Sequence, residues 1–249
     1  MKAMVLAAGL GTRLRPLTDD RPKALVEVAG RTLLDITLTR LRGFGIREVI
    51  VNVHHFADMV LEYLNAHDNF GMRIEISRED VLLDTGGGLK KAGFFFRDDS
   101  GRPDEPFILH NVDVISTIDL RRMAQFHTDN QALATLAVQD RKTSRYLLFD
   151  KQLQLCGRRS ERDGDLELVR ASPQAQALAF AGIHVISPLL IRKMAEEGTF
   201  SIIKSYLRLA GQGEKILAFR TDEYYWRDLG RLDDLKRAAG DLERGVVLQ

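Results

Sequence analysis

Cysteine is almost absent from this chain of 249 residues, in which Cys156 stands alone. A single thiol cannot form an internal disulfide, so we expect a reducing compartment, the cytoplasm. Long apolar runs are missing too, and none approaches the roughly 20 residues that span a bilayer. The apolar stretch at 3–8 is too short for an export signal. The sequence therefore predicts neither membrane association nor secretion.

An excess of charge of one sign is also lacking. The chain has 36 Lys and Arg against 35 Asp and Glu, a net charge of +1, and no basic tail or acidic block. Non-specific binding to nucleic acid or to an anionic membrane is therefore not indicated. The composition, 45% hydrophobic and 29% charged, is typical of a soluble globular protein and suffices for one large α/β domain.

Two common phosphate-binding fingerprints are absent from the N-terminal region. The pattern G-x-x-x-x-G-K-[ST] does not occur, and G-x-G-x-x-G fails because position 14 is Leu. An apolar strand instead leads into Gly9 and Gly11, followed by Arg13 and Lys23. Such glycines permit a sharp turn and close approach of a ligand to backbone N–H groups, and the two cations suit a polyphosphate. The structural alternative is a tight turn with solvated Arg and Lys side chains.

Apolar strands and amphipathic helices alternate through the first half of the chain. Strands are predicted at 3–7, 49–53, 72–76 and 107–109, and helices at 34–44, 56–64 and from Leu120 after an Asp119 cap. This rhythm predicts a mainly parallel, three-layer sheet. The second half predicts strands at 132–138, 178–186 and 215–219, helices at 189–194, 202–210 and 232–239, and hairpins and loops over 141–175 that cover one side of the site.

Two further segments are expected where a doubly wound sheet binds its ligands, beyond the carboxyl ends of its strands. Asp84 and Thr85 precede three glycines, which can bring backbone atoms close to a flat ligand. The alternative is a plain helix start capped by Asp84 or Thr85. Asp113 follows a buried strand, where a carboxylate is costly unless it is paired or binds a metal. We expect both segments to meet the N-terminal glycine loop.

Residues 1–23 contain G-x-G-T-R and a Pro-Lys pair whose lysine lies ten residues after the arginine. This stretch resembles the signature of sugar-1-phosphate nucleotidylyltransferases. The resemblance extends over nearly the whole chain and is strongest at 1–26, 84–88, 107–114, 180–186 and 226–230. It implies a Rossmann-like mixed sheet in a single domain without a β-helix tail. Residues 1–140 would form its nucleotide-binding half and residues 141–249 its sugar-phosphate-binding half.

The resemblance also implies roles for particular residues. It assigns nucleotide binding to Leu6, Ala7, Ala8, Gly9, Gly11, Thr12, Thr85 and Gly87, catalysis to Arg13 and Lys23, substrate binding to Asn111 and Gly182, and Mg²⁺ binding to Asp113 and Asp228. Val112 departs from the family pattern, which has a small residue there. Alternatives from the residues themselves stay open: Gly182 as a simple strand bulge and Asp228 as a helix cap.

The activity implied is Mg²⁺-dependent joining of a nucleoside triphosphate and a sugar-1-phosphate to give a nucleoside-diphosphate sugar and pyrophosphate. The D-T-G-G-G turn and the short chain favour UTP with N-acetylmuramate-1-phosphate, a cell-wall sugar. GTP with mannose-1-phosphate, another hexose phosphate or choline phosphate remain alternatives, as does a non-catalytic sensor of nucleotide sugars. The Glu-Lys pair common in hexose-specific members is missing from 141–175, where Lys151 is the last lysine. A homo-oligomer is left open.

Overall fold

A ten-stranded mixed sheet organises the protein, seen in a computed structural model that describes residues 1–96 and 105–245. The strands are β1 (Ala3–Leu6), β2 (Glu27–Val28), β3 (Arg31–Thr32), β4 (Glu48–Val53), β5 (Arg73–Arg78), β6 (Phe107–Asn111), β7 (Val114–Ser116), β8 (Ala134–Gln139), β9 (Arg145–Phe149), β10 (Leu155–Ser160), β11 (Leu166–Leu168), β12 (Gln176–Ile186), β13 (Ile216–Arg220) and β14 (Trp226–Asp228). The helices are α1 (Leu33–Gly43), α2 (Ala57–Ala66), α3 (Asp84–Lys91), α4 (Leu120–Asp129), α5 (Leu189–Lys193), α6 (Ile202–Gly211) and α7 (Leu232–Glu243).

The central strands confirm the predicted mainly parallel sheet. β5, β4, β1 and β6 run parallel to one another, β12 is antiparallel to β6 and β8, and β13 pairs in parallel with β8. In this register Leu6 lies opposite both Asn52 of β4 and Asn111 of β6. Three strands therefore end together, at the edge where a doubly wound sheet binds its ligands.

The sheet lies between two separate apolar layers. Ala3 and Val5 of β1 belong to one core cluster and Met4 to the other, because successive side chains of a strand point to opposite faces. All three side chains are fully buried. A strand covered on both faces needs the continuous apolar run that the sequence shows at this point.

Local signals place several helix ends. Asp119 accepts hydrogen bonds from the backbone N–H groups of Arg121 and Arg122, which confirms its predicted capping of α4. Thr32 accepts from the N–H of Asp35 at the start of α1. None of the helices within the two described ranges is long and apolar enough to cross a membrane.

The polar segment 141–175 forms antiparallel hairpins, as predicted. β9 pairs with β10, and β10 with β11. The first residues of β12, 176–178, pair with β9, whereas 183–186 pair with β6. The register of β12 against β8 shifts between Phe180 and His184, so the strand carries an irregularity between its two partners. β12 thereby connects the hairpins to the side of the sheet at which β6 ends.

Candidate active site

The glycine loop after β1 is held by a side chain from the neighbouring strand. Asn52 accepts a hydrogen bond of 2.8 Å from the N–H of Ala7 through its Oδ1 atom. Gly11 has a φ of +66°, and a Cβ there would come within 2.8 Å of Thr18 Cγ2 and 3.2 Å of Lys23 Cβ. Only glycine therefore fits this turn without strain. The conformation brings Lys23 back toward the start of the loop.

Lys23 is the most enclosed cation of the site. Its Nζ atom donates to Oδ2 of Asp113, and the two side chains expose only 10% and 17% of their surface. Lys23 begins a short 3₁₀ turn, Lys23–Leu25, whereas Asp113 follows β6. The pair joins the two segments that the sequence analysis expected to meet. The ammonium group of Lys23 is a compact point charge that Asp113 neutralises in this state.

Asp228 lies beside Asp113, although the two are far apart in the chain. β14 pairs antiparallel with β7, which places Asp228 opposite Val114, and the N–H of Leu229 donates to the backbone oxygen of Asp113 at 2.8 Å. Burial raises the pKa of Asp228, and the charge of Asp113 raises it further. The N–H of Gly230, Lys23 and Arg13 act in the opposite direction. The two carboxylates therefore repel one another across a shared space.

This pair of carboxylates has the donor chemistry that Mg²⁺ prefers. Mg²⁺ usually takes one or two protein carboxylates and completes its shell with water and substrate phosphates. Across 1–96 and 105–245 there is no cluster of three or more His, Cys, Asp or Glu side chains that could hold a metal. Asp113 and Asp228 thus suit an ion that the substrates help to bind, and their repulsion would be relieved by it.

Arg13 reaches the same place from the other side. A Cβ at Gly230 would overlap its Nη2 atom and come within 2.6 Å of Asp228 Oδ1. Glycine at position 230 is therefore required by the close approach of a cation and a carboxylate. Arg13 itself is an exposed residue of a 3₁₀ turn, Thr12–Leu14, so its guanidinium is available to a ligand.

Two clefts meet at these charges. The narrow cleft has a volume of about 360 Å³ and is lined by Leu6, Ala7, Ala8, Gly9, Lys23, Asn52, Glu79, Leu82, Asp84, Thr85, Asn111, Val112, Asp113 and Thr199. The wide cleft has a volume of about 1150 Å³ and is lined by Arg13, Gln139, Lys142, Thr143, Ser144, Arg145, Tyr146, Arg141, Glu161, Arg162, Phe180, Trp226, Arg227, Asp228, Arg231 and Asp234. The hairpin segments supply much of the wide cleft, in agreement with their predicted position.

The glycine run after Asp84 is the first part of a helix rather than a turn. Gly86, Gly87 and Gly88 are buried in α3, where a Cβ would strike Phe200, the backbone oxygen of Gly198, or Glu79 and Asn52, respectively. Leu83, which precedes the helix, makes no side-chain capping bond, whereas Oδ1 of Asp84 accepts from the N–H of Thr85 at 2.6 Å in the first turn. Asp84 and Thr85 line the narrow cleft, whereas Gly87 packs against Gly198 and does not line it. The glycines thus let α3 approach its neighbours closely.

Glu79 is a buried site residue that the sequence analysis missed. Glu79 is only 3% exposed, and its carboxylate accepts hydrogen bonds from Asn52 Nδ2 at 2.7 Å and from the N–H of Leu83 at 2.9 Å. Asn52 in turn holds Ala7, so one chain of hydrogen bonds ties the glycine loop to the segment before α3. The one indication in the sequence was that Asn52 and Glu79 are polar residues at the ends of two apolar strands.

Gly182 lies at the irregularity of β12, against the end of β6. Its φ is +74°, and a Cβ would come within 2.8 Å of Val114 Cγ2 and 3.0 Å of Asn111 Nδ2. The glycine therefore serves both the bulge and a close approach to Asn111. Val112 is 4% exposed and lines the narrow cleft as a branched side chain. Its N–H donates to the oxygen of Leu6, which fixes the loop that presents Asp113.

His110, which precedes this loop, is not a phosphate-binding cation. Burial lowers its pKa to about 3, and the charge of Arg40 lowers it further. The ring is therefore neutral near pH 7, and its Nδ1 atom bonds the backbone oxygen of Asn111. Positive charge at the meeting point of the clefts comes from Lys23 and Arg13.

The predicted residues thus fall into three groups. The narrow cleft brings together Leu6, Ala7, Ala8, Gly9, Lys23, Thr85, Asn111 and Asp113, and the wide cleft brings together Arg13 and Asp228. Gly11, Thr12, Gly87 and Gly182 line neither cleft, and of these Gly11 and Gly182 shape the backbone beside them. The roles assigned to these residues remain predictions.

The fold and the two clefts place two cations and two carboxylates at the carboxyl edge of a Rossmann-like sheet. The profile of the family described as nucleotidyl transferase matches residues 2–153, and the chain belongs to this family.

Relatives with named activities span most of the chain. It is 37% identical over 220 residues to an N-acetylmuramate alpha-1-phosphate uridylyltransferase from Caulobacter vibrioides, an alignment that covers 85% of each protein. It is 29% identical over 249 residues to a mannose-1-phosphate guanylyltransferase from Mycobacterium tuberculosis, covering 98% of this chain and 65% of that protein.

Solved structures share the fold. HddC from Yersinia pseudotuberculosis, complexed with GMP-PN, matches with a TM-score of 0.74 at 20% identity, over 97% of this chain and 99% of that one. A UDP-glucose pyrophosphorylase complexed with UDP-glucose matches with a TM-score of 0.75 at 16% identity, over 98% of both chains. These similarities confirm the predicted Rossmann-like class.

Proposed function

We propose that this chain joins a nucleoside triphosphate and a sugar-1-phosphate to give a nucleoside-diphosphate sugar and pyrophosphate. The observation that carries the proposal is the meeting of Lys23, Asp113, Asp228 and Arg13 where the two clefts join. Two cations and two carboxylates at one junction suit a reaction between two anions. Such a reaction requires positioning and charge neutralisation more than covalent help from the protein.

The nucleotide would occupy the narrow cleft, and the sugar phosphate the wide cleft. An oxygen of the sugar phosphate attacks the α-phosphorus in line, the new P–O bond forms, and the bond to pyrophosphate breaks. Lys23 would stabilise the α-phosphoryl oxygens, and Arg13 the departing pyrophosphate. No proton has to be removed, because a phosphate monoester with a second pKa of about 6 is already mostly dianionic at neutral pH.

Mg²⁺ is part of the proposal. Asp113 and Asp228 would hold it, and the bound ion would supply positive charge to the phosphate oxygens. The two residues approach closely enough for the charge of Asp113 to raise the pKa of Asp228, so the cost of burying both is reduced when a cation lies between them. Lys23 partly meets that need through its ion pair with Asp113.

UTP with N-acetylmuramate-1-phosphate is the favoured substrate pair. Its support is the relative that acts on this sugar phosphate and that covers 85% of the chain. GTP with mannose-1-phosphate is the alternative, supported by the guanylyltransferase with 29% identity. A cytoplasmic location and a part in cell-wall sugar metabolism belong to the same proposal.

A substrate matrix tests the proposal. Pyrophosphate release would be measured for UTP, GTP, CTP and dTTP against N-acetylmuramate-1-phosphate, mannose-1-phosphate, glucose-1-phosphate and phosphocholine, with Mg²⁺ and with EDTA. We expect one preferred pair that depends on the metal, with UTP and N-acetylmuramate-1-phosphate the fastest. A chain that binds nucleotide sugars but releases no pyrophosphate with any pair would be a sensor, and the proposal would be wrong.

A further inference from the structure

The wide cleft concentrates positive charge in a chain that is almost neutral. Seven cationic and three acidic side chains line it, whereas the whole protein has a net charge of +1. Most of these cations are exposed, and Arg227 is paired with Asp241. Arg141 differs from all of them, because it is half-buried and has no acidic partner within the described ranges.

The guanidinium of Arg141 is held in one orientation. Its Cζ atom lies 3.8 Å from the ring centroid of Trp226, and its Nη2 atom donates to the backbone oxygen of Phe180 at 2.8 Å. Trp226 is fixed in turn by a hydrogen bond of 2.7 Å from its Nε1 atom to the oxygen of Ala181. A stacked, hydrogen-bonded arginine loses little further freedom when it binds a ligand.

One donor of this fixed group is unused. The Nε atom of Arg141 is shielded from solvent and has no hydrogen-bond partner among the residues that the structure describes. A buried N–H without an acceptor costs free energy, which a bound anion could recover if the guanidinium shifts toward it. Burial also lowers the pKa of Arg141, and the nearby charge of Asp228 acts against this, so the cation lies within electrostatic reach of the reaction centre.

We propose that Arg141, supported on Trp226, is the positioning residue that binds the phosphate of the incoming sugar-1-phosphate in the wide cleft. The inference rests on the proposed function for the identity of the ligand. A planar fork can donate two parallel hydrogen bonds to phosphate oxygens, which fixes the orientation of the phosphate as well as its place. The phosphate would then lie between Arg141 and Asp228, beside the nucleotide in the narrow cleft.

Trp226 makes a binding test possible that does not require turnover. It is the only tryptophan in the chain, so intrinsic fluorescence reports on the ring beneath Arg141. The wild-type protein would be titrated with inorganic phosphate, glucose-1-phosphate and N-acetylmuramate-1-phosphate, with free glucose as the neutral probe. We expect a saturable change with the phosphates and none with glucose.

Arg141→Met, which keeps an unbranched side chain on the tryptophan, should raise the Kd for the phosphates about tenfold or more, the loss expected when a charge-assisted hydrogen bond is removed. Arg141→Lys, which keeps the charge without the fork, should fall between this variant and the wild type. The matched control is Arg159→Met, because Arg159 also lies over a ring, 5.1 Å from the centroid of Tyr146, but outside the wide cleft. Equal weakening by both methionine variants, or no weakening by either, would overturn the inference.

Kinetics separate a specific role from a structural one. Arg141→Met should raise the KM for sugar-1-phosphate about tenfold, again the loss of one charged contact, and leave the KM for the nucleotide nearly unchanged. A rise in both constants would show general damage and overturn the inference. If the wild type releases no pyrophosphate but binds phosphate through Arg141, the proposed function fails and the anion site stands. If turnover is normal and Arg141→Met changes neither KM nor Kd, only the anion site fails.

Discussion

The narrow and wide clefts are built on opposite principles. The narrow cleft is framed by backbone from the ends of β1 and β6 and by a buried hydrogen-bond chain from Glu79 through Asn52 to Ala7. The wide cleft is framed by side chains of the hairpin segments, many of them exposed cations. Rigid backbone suits a ligand part that stays constant, whereas exposed side chains can be exchanged without disturbing the fold. This difference supports the proposal that the nucleotide occupies the narrow cleft and the sugar phosphate the wide cleft.

The largest expected effect is at the junction of the clefts. Lys23→Ala or Asp113→Ala should abolish turnover, with a loss of at least about 10²–10³-fold in kcat, because Lys23 would supply positive charge to the transferring phosphoryl group and Asp113 would hold the Mg²⁺. The measurement is pyrophosphate release, with circular dichroism to show that the variant is folded. Lys236→Ala, on the exposed face of α7, is the control and should keep full activity. Full activity in either junction variant would refute the assigned role.

A smaller loss of activity is expected from a substitution of Gly230, which lies between Arg13 and Asp228. In Gly230→Ala the new Cβ must displace Arg13 or Asp228, and misplacement by about 1 Å can cost about 10²-fold in rate. Steady-state kcat measures this effect. Gly43→Ala is the matched control, because a Cβ at Gly43 meets nothing within 4 Å. If both variants are equally active, the close approach at Gly230 has no catalytic meaning.

The contrast in rigidity predicts different stability effects in the two clefts. Glu79→Gln replaces one acceptor oxygen by an amide donor, which would face the donor of either Asn52 or Leu83, so we expect the free energy of unfolding to fall by about 1–3 kcal/mol, at about 2–4 °C in Tm for each kcal/mol. The KM for the nucleotide should rise as well, since Asn52 holds the glycine loop. Arg145→Met, at an exposed position of the wide cleft, should leave Tm within about 1 °C. Equal changes in Tm would contradict the comparison.

The smallest effect concerns stability against pH. Because burial and Asp113 raise the pKa of Asp228 in the folded state, the native protein binds a proton more readily there than the unfolded chain. The ionised carboxylate therefore costs stability above its raised folded pKa, and this cost disappears as the pH falls through that value toward the unfolded one. In metal-free buffer, Asp228→Asn should have a slightly higher Tm than the wild type at pH 7, and the difference should vanish in acid. Thermal scans from pH 3 to pH 8 measure it, and a lower Tm for the variant at pH 7 would contradict this balance.

Much of the fold could be predicted because its signals are local. The alternation of apolar strands with amphipathic helices indicates a mainly parallel sheet, and the boundaries of β1 and β4 and the start of α4 lie within two residues of the predicted ones. The glycine run at 86–88 was harder, because glycine indicates a turn in most contexts. Here its small size is used for close packing of α3 against Phe200, Gly198 and Glu79, which only the neighbours explain.

The fold class could be inferred from the sequence without coordinates. Spacing of apolar residues, the strand leading into Gly9 and Gly11, and the cations that follow are properties of neighbouring residues, so they could be read without coordinates. Only the folded chain shows that Glu79 bonds Asn52 and that Arg141 lies over Trp226, whereas it brings Asp228 beside Asp113 as the resemblance implied. The physical reason is that these contacts depend on the order and register of strands, which are set by pairing between remote segments and by burial on both faces of the sheet.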